Sequence, residues 1–164
     1  MLIYQHMQQR VVPAAAKAVF DVVGDLAQHP RLAGSGEVKT VRLLGDRVVG
    51  VGSRFEADEE IRIARRWQRF TAVSTVVEYD PPHVISWTSV APDAPRGSRV
   101  QWWYEMTPHD EGTLVTERVE VDLGLGALSV LARLPYRALR GSAIRAGMAR
   151  TLQNLEALTA SADA

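Results

Sequence analysis

Residues 73–116 read VSTVVEYDPPHVISWTSVAPDAPRGSRVQWWYEMTPHDEGTLVT, and three breaks divide them. Asp80-Pro81-Pro82, Pro95-Arg96-Gly97 and the stretch from Pro108 to Gly112 are turn chemistry, because proline removes a ladder donor and glycine tolerates the backbone angles that a reversal needs. Between the breaks, polar and apolar residues alternate with the period of a strand whose two faces see different surroundings. The segments are Val84 to Val90, Val100 to Met106 and, past Gly112, Leu114 to Val121. Short connections make them an antiparallel meander.

The same reading extends upstream. Trp67 to Tyr79 is a long strand with Thr71, Val73, Thr75, Val77 and Tyr79 on one face. Glu37 to Leu44 and Ser53 to Ile63 are further strands, joined across Gly45-Asp46 and a second glycine-bearing turn at Gly50 to Gly52. Residues 2 to 12 form a first strand, which brings the total to about seven. Pro13 then suits the first turn of a helix, in which Ala16, Val19, Phe20 and Val23 share a face and Gly24 ends the run. A further helical turn spans Leu26 to Ala33. Because Pro30 disfavours the helical conformation at His29, this region reads as two short helices with a bend, closed by Gly34-Ser35-Gly36.

From Leu125 the period becomes helical. Ile144, Met148, Leu152, Leu155 and Leu158 form one apolar stripe. Pro135 is expected to kink or restart this helix, leaving Gly124 to Leu134 as a lid or a separate short helix. The fold class is therefore α+β, a curved antiparallel sheet gripping a long C-terminal helix. One helix is too narrow to cover a twisted sheet of this width, so a space is expected between the two.

Composition bounds the function. The 164 residues carry 19 Lys+Arg against 19 Asp+Glu, which excludes the strongly basic footprint of a nucleic-acid binder. The chain has no cysteine, which removes disulfides, thiolate zinc and a cysteine nucleophile. Residues 1 to 6 lack the basic and apolar regions of a leader, and no run approaches the roughly 20 apolar residues of a membrane span, so a cytoplasmic location is expected. His6, His29, His83 and His109 show no metal-ligand spacing, and no glycine run precedes a helix with a Lys-Ser/Thr pair. No metal and no cofactor are expected. One domain spans residues 1–160, with 161–164 as a tail.

Several features together resemble one superfamily. They are Pro13 with Val19-Phe20, then Glu78-Tyr79-Asp80-Pro81-Pro82 leading to Trp87, then Trp102, Tyr104 and Pro108 before Gly112-Thr113, and finally Gly147-Met148 through Leu152 and Leu155. In this order the chain resembles the helix-grip fold of the START-like, or SRPBCC, superfamily, and within it the polyketide cyclase/dehydrase and lipid transport group. Many relatives place a tryptophan where this chain has Leu32. The resemblance implies a container for small molecules, and the superfamily hosts both carriers and ring-closing enzymes.

The residues suggest how such a container is lined. Trp87, Trp102 and Tyr104 lie on adjacent strands and offer apolar area with polar tips. Phe20, Phe55, Ile144 and Met148 complete the expected wall. Glu117, flanked by Val115, Val119 and Val121, places a carboxylate on an apolar face, as Glu59 does among Phe55, Ala57 and Ile61. If that face is concave, burial makes Glu117 an acid/base group or a polar anchor; alternatively it pairs with an arginine such as Arg69. A register slip would instead turn Arg118 and Glu120 inward. Tyr104 and His29 are the other candidates for proton transfer. Trp103 points outward, to solvent or to a second copy of the chain in a homodimer.

The leading expectation is binding of a hydrophobic or polycyclic small molecule, such as a lipid, a polyketide-like aromatic or a quinone. The alternative is a polyketide cyclase or dehydratase working through acid/base residues in the same space. The acidic run Glu56, Asp58, Glu59 and Glu60 reads as a solvated, mutually paired face. Arg133, Arg137, Arg140, Arg145 and Arg150, with the apolar lid, read either the same way or as a peripheral contact with an anionic membrane, without stable insertion.

Overall fold

The computed structural model describes residues 1–45, 48–63 and 65–162, so Asp46 in the expected β2–β3 turn lies outside the described residues. Seven strands form one antiparallel sheet: β1 (Leu2–Val12), β2 (Val38–Leu44), β3 (Arg54–Ile63), β4 (Arg66–Asp80), β5 (Val84–Val90), β6 (Arg99–His109) and β7 (Gly112–Asp122). Their spatial order is β1-β7-β6-β5-β4-β3-β2, so the chain closes its first strand against its last and otherwise meanders. Helix α1 (Ala16–Gly24) follows β1, then a 3₁₀ turn (Leu26–Gln28) and α2 (His29–Leu32). After β7 come a 3₁₀ turn (Gly126–Leu128), α3 (Ser129–Tyr136), a π-helical turn (Arg137–Gly141) and α4 (Ser142–Ala162). The sheet wraps around α4, a helix-grip architecture.

The meander falls where alternation put it. On β7, Val115, Glu117, Val119 and Val121 are all buried, while Arg118 and Glu120 point away, so the slipped register is absent. Ile85 and Trp87 on β5, and Tyr104 and Met106 on β6, share the concave side with them. Each buried side chain of this size contributes about 1.5–3 kcal/mol. The stripe on α4 closes over them: Met148, Leu152 and Leu155 are fully buried and Ile144 nearly so, with Leu158 packed against the core edge.

Strand β4 departs from its expected face. Val76 pairs with Trp87, and Glu78 pairs with Ser86, so Val77 is an extra residue that bulges out and is exposed. The bulge reverses the parity. Before it Ala72, Ser74 and Val76 face inward, and Thr71, Val73 and Thr75 lie on the convex side; after it Tyr79 turns toward the core.

Three helical expectations are corrected. Helix α1 begins at Ala16, not in the turn at Pro13. The break between the short helices lies at Asp25, while His29 is helical (φ −55°, ψ −32°) despite Pro30, held by burial and by a 2.8 Å bond from its Nε2–H to Val23 O. Pro135 does not restart the C-terminal helix. It sits inside α3, and the ladder it disrupts continues through the π-helical turn immediately downstream, giving one helical run over 126–162. The expected tail therefore overlaps the end of α4, with 163 and 164 outside the described residues.

Trp103 is also corrected. It lies on the convex face but is buried, flanked by Ser86 and Arg118 on the neighbouring strands, with the Arg118 guanidinium 4.0 Å from its ring centroid. The loop at Gly34-Ser35 crosses α4 at close range. Gly34 N–H donates to Thr151 Oγ1 (2.9 Å), Arg150 Nε–H donates to Gly34 O (2.6 Å), and a Cβ on Gly34 would stand 2.4 Å from Thr151 N.

Candidate functional site

Between the concave face, α2 and α4 lies a cavity of about 260 Å³. Its floor is aromatic because inward positions of neighbouring strands meet there. Trp87 stacks on Tyr104 with ring centroids 5.7 Å apart and planes 15° from parallel, Phe55 meets Trp87 edge-on at 6.2 Å, and the His29 ring lies 5.0 Å from Trp87. Trp102 sits beside them, and Ile144 and Met148 line the roof. Leu32 is fully buried and also lines the wall.

Glu117 is the chemical centre of the inner end. Its residue is 1% exposed; Tyr104 Oη–H donates to its Oε1 at 2.8 Å, and its Oε2 has no partner. Burial raises the carboxyl to about 8 against a smaller lowering by the Tyr104 bond, so Glu117 is mostly protonated at neutral pH. Tyr104 itself is raised well above the usual phenol value by burial and by the adjoining carboxyl. His29 is also fully enclosed. Burial lowers its pKa, against smaller raising influences from the Val23 O bond and Asp25, and its Nε2–H is engaged by Val23 O.

A second polar group of residues stands at the other end. Glu59 faces the cavity from β3, and burial plus the nearby Glu37 carboxylate raise it to about 7, with Arg140 pulling weakly the other way. Arg140 is already committed: its Nη1 and Nη2 donate to Glu37 Oε1 and Oε2 at 2.7 and 2.8 Å. This bidentate pair ties the loop before β2 to the π-helical turn before α4. Among the described residues no group of His, Asp and Glu side chains forms a metal cluster.

The structure thus gathers Phe55, Trp87, Trp102, Tyr104, Glu117, Ile144, Met148 and His29 around one space. Two expected residues lie elsewhere. Phe20 packs in the core edge-on to Tyr79 (5.4 Å) and borders an open groove of about 600 Å³ beside α1. Arg69 is on the convex face, its side chain 81% exposed, and donates to Glu60 Oε1 at 2.8 Å, far from pairing with Glu117. The aromatic cavity is the more enclosed of the two spaces.

Sequence reasoning missed Glu37, Ser74, Tyr136 and Arg140 as cavity residues. Ser74 lines the cavity and shares a 2.7 Å hydrogen bond with Ser89. A serine between Ala72 and Val76 was a usable signal once the bulge is known. Nothing local announces a pair 103 residues apart. The histidine was a candidate at the rim; it is instead part of the wall.

This architecture matches known structures across nearly the whole chain. It is similar to the di-domain ARO/CYC StfQ from the steffimycin biosynthetic pathway (TM-score 0.71, 16% identity), covering 99% of this chain and 52% of that one. The chain therefore spans about half the length of StfQ. It is also similar to TTHA0849 from Thermus thermophilus (TM-score 0.66, 18% identity, 98% and 100% covered) and to major latex-like protein 151 from Panax ginseng (0.66, 12%, 96% and 97% in one crystal form). At these identities the likeness is one of fold. No curated protein sequence matches the chain. A family profile does, over residues 5–159, from the first strand to the end of the gripped helix, and by that match the chain belongs to the polyketide cyclase / dehydrase and lipid transport family.

Proposed function

We propose that residues 1–160 form a single binding domain for a compact hydrophobic, ring-bearing small molecule, held in the cavity beneath α4. The observation that carries this reading is the enclosed 260 Å³ space floored by stacked Trp87 and Tyr104. That volume lies just under the range of roughly 300–1,000 Å³ usual for ligand pockets, which favours a few-ring compound such as a polyketide-like aromatic or a quinone over a long acyl chain. Affinity comes from burial of flat apolar area against aromatic faces. Native mass spectrometry of protein from its own host, followed by denaturing extraction, tests it: a retained ring compound at near-stoichiometric occupancy is expected. Tyr104→Ala should weaken rebinding of that compound, and a variant that binds normally would remove Tyr104 from the wall.

A second reading, an acid/base cyclase or dehydratase, is favoured by one observation, the buried Tyr104–Glu117 pair with its raised carboxyl. Here the cup holds a flexible substrate folded while Glu117 transfers a proton. Unchanged turnover in Glu117→Gln would dispose of it. On either reading, Leu128, Leu131 and Leu134 stand largely exposed on the helical run before α4, where Arg137 follows them. They support peripheral contact with an anionic bilayer, which flotation with phosphatidylserine vesicles tests. Among the described residues no helix is long and apolar enough to cross a membrane.

A further inference from the structure

The polar side chains of the cavity wall are unevenly used. Tyr104 Oη–H is given to Glu117, His29 Nε2–H to Val23 O, Thr151 Oγ1–H to Gly147 O at 3.0 Å, one of the Ser74 and Ser89 hydroxyls to the other, and Arg140 to Glu37. Most of the strong donors at this wall are therefore engaged inside the protein. Two carboxyls are not matched in this way. Glu117 has Oε2 buried without a partner, and the cation nearest to offsetting Glu59 is bound bidentately by Glu37. Removing a carboxyl from water is costly, and here it is complete for Glu117, among aromatic faces, and partial for Glu59.

From this geometry we infer that the ligand of the cup carries a protonated amine, its ammonium received by Glu117 Oε2 and by the faces of Trp87, Tyr104 and Trp102. The inference rests on the binding reading above and adds the ligand's charge. A carboxylate or phosphate would meet two carboxyls and no free cation. A neutral ketone brings no donor of its own, so Glu117 Oε2 would stay buried without a partner. An ammonium group, by contrast, supplies three donors and a charge that both the carboxylate and the aromatic quadrupoles attract. The raised carboxyls support the same picture, since each marks a site whose negative charge lacks a partner until one arrives. On binding at neutral pH, Glu117 gives its proton to the buffer and pairs as a carboxylate with the ammonium. The other titratable groups on the wall are Tyr104, His29, Glu37, Glu59, Tyr136 and Arg140. Of these Glu59 is the one whose titration overlaps that of Glu117, and a Glu59→Gln control isolates it.

The test is isothermal titration calorimetry of the full chain near pH 7, in two buffers of different ionisation enthalpy. Three probes share one skeleton: naphthylmethylamine, naphthylmethanol and naphthoate. The amine should bind at least about tenfold more tightly than the alcohol, with up to about one proton released per complex, and naphthoate should bind most weakly. Glu117→Gln keeps the shape and an acceptor for Tyr104. It should bring the amine down to the affinity of the alcohol, suppress the proton release and leave alcohol binding in place. Equal binding of amine and alcohol, or amine binding without proton release, overturns the inference while leaving the cup as a binding site. Binding of none of the three overturns the cup reading and this inference with it. The wild-type proton count keeps the test decisive should Glu117→Gln fail to fold.

Discussion

The two faces of the sheet treat their carboxylates in opposite ways. On the convex side, Glu56 pairs with Arg42, Asp58 accepts from Thr40 and Thr71 hydroxyls at 2.6 Å each, and Glu60 accepts from Arg69 with Lys39 3.6 Å away. On the concave side neither Glu59 nor Glu117 has a cation of its own, and Glu117 holds only the Tyr104 hydroxyl, on one of its two oxygens. The hydrogen bonds from Thr40 and Thr71 lead the causes that keep Asp58 below its usual value, and the Arg69 bond does the same for Glu60, whereas desolvation lifts Glu59 to about 7 and Glu117 to about 8. Residues 58, 59 and 60 are neighbours in sequence, yet strand parity alone sends the middle one into a different chemistry. The convex pairs are cross-strand fastenings of an exposed surface. The concave acids face the cavity with their charged forms disfavoured by burial.

The largest effect that probes this contrast is pH. Both concave carboxyls bind protons more tightly in the folded chain, so the stability they contribute is complete below about pH 4.5 and is lost as pH rises through about 7 for Glu59 and about 8 for Glu117. Each gives a slope of up to about 1.4 kcal/mol per pH unit in its window. His29, whose pKa burial lowers, acts in the other direction, its contribution being lost as pH falls below the ordinary imidazole value of 6.5. Urea unfolding from pH 5 to 8 should therefore show a shallower decline in Glu117→Gln than in the wild type, with the variant the more stable at pH 8. Parallel curves would mean that Glu117 is not the uncompensated group.

Next in size is Tyr104→Phe, which strips Glu117 Oε1 of its donor while keeping the ring. A cost of about 1–3 kcal/mol is expected for leaving the buried carboxyl wholly unbonded. The same variant should raise the Glu117 titration further, read from its carboxyl carbon by NMR, because the lost bond was a lowering influence. A stable variant with an unmoved titration would break the dyad.

Smaller still is Glu37→Gln. It removes the negative neighbour of Glu59 and frees Arg140, so the Glu59 titration should move down from about 7 while Glu117 stays in place. If both move together, the two ends of the cavity are one coupled site. The smallest effect belongs to the convex face: Arg69→Ala should leave the melting temperature and probe binding unresolved from wild type, as expected of an exposed ion pair. A clear loss of binding would return Arg69 to the site.

Gly34→Ala tests the frame that holds the contrast in place. Its Cβ would strike Thr151 N and Gly147 O at 2.4 and 2.5 Å, so the loop carrying Glu37 must lift off α4. Destabilisation of about 1–3 kcal/mol is expected, with Glu37 and Arg140 pulled apart. Unaltered stability would show that the loop can shift without α4.

Much of this was readable before folding. Period-two alternation between hard breaks specified β5, β6 and β7, because one face of a meander is buried and a half-buried strand must alternate. The stripe from Ile144 to Leu155 specified the gripped helix for the corresponding reason at its own period. Glu117 stood out as the acid among valines, and Trp87, Trp102 and Tyr104 as its neighbours. The rest depended on distances that sequence does not encode locally. The Val77 bulge reversed the inward face of β4, since one unpaired residue shifts every side chain beyond it to the other side. His29 became wall instead of rim because tertiary burial outweighed the conformational bias that Pro30 imposes. Glu59 became an isolated acid because Arg140, the nearby cation, is held by Glu37 from 103 residues away. Sequence by itself determined which elements form and which of their faces are apolar, since those follow from short-range periodicity. Which charges are left without a partner was settled only by packing, because compensation is a property of what the whole chain brings within a few ångströms.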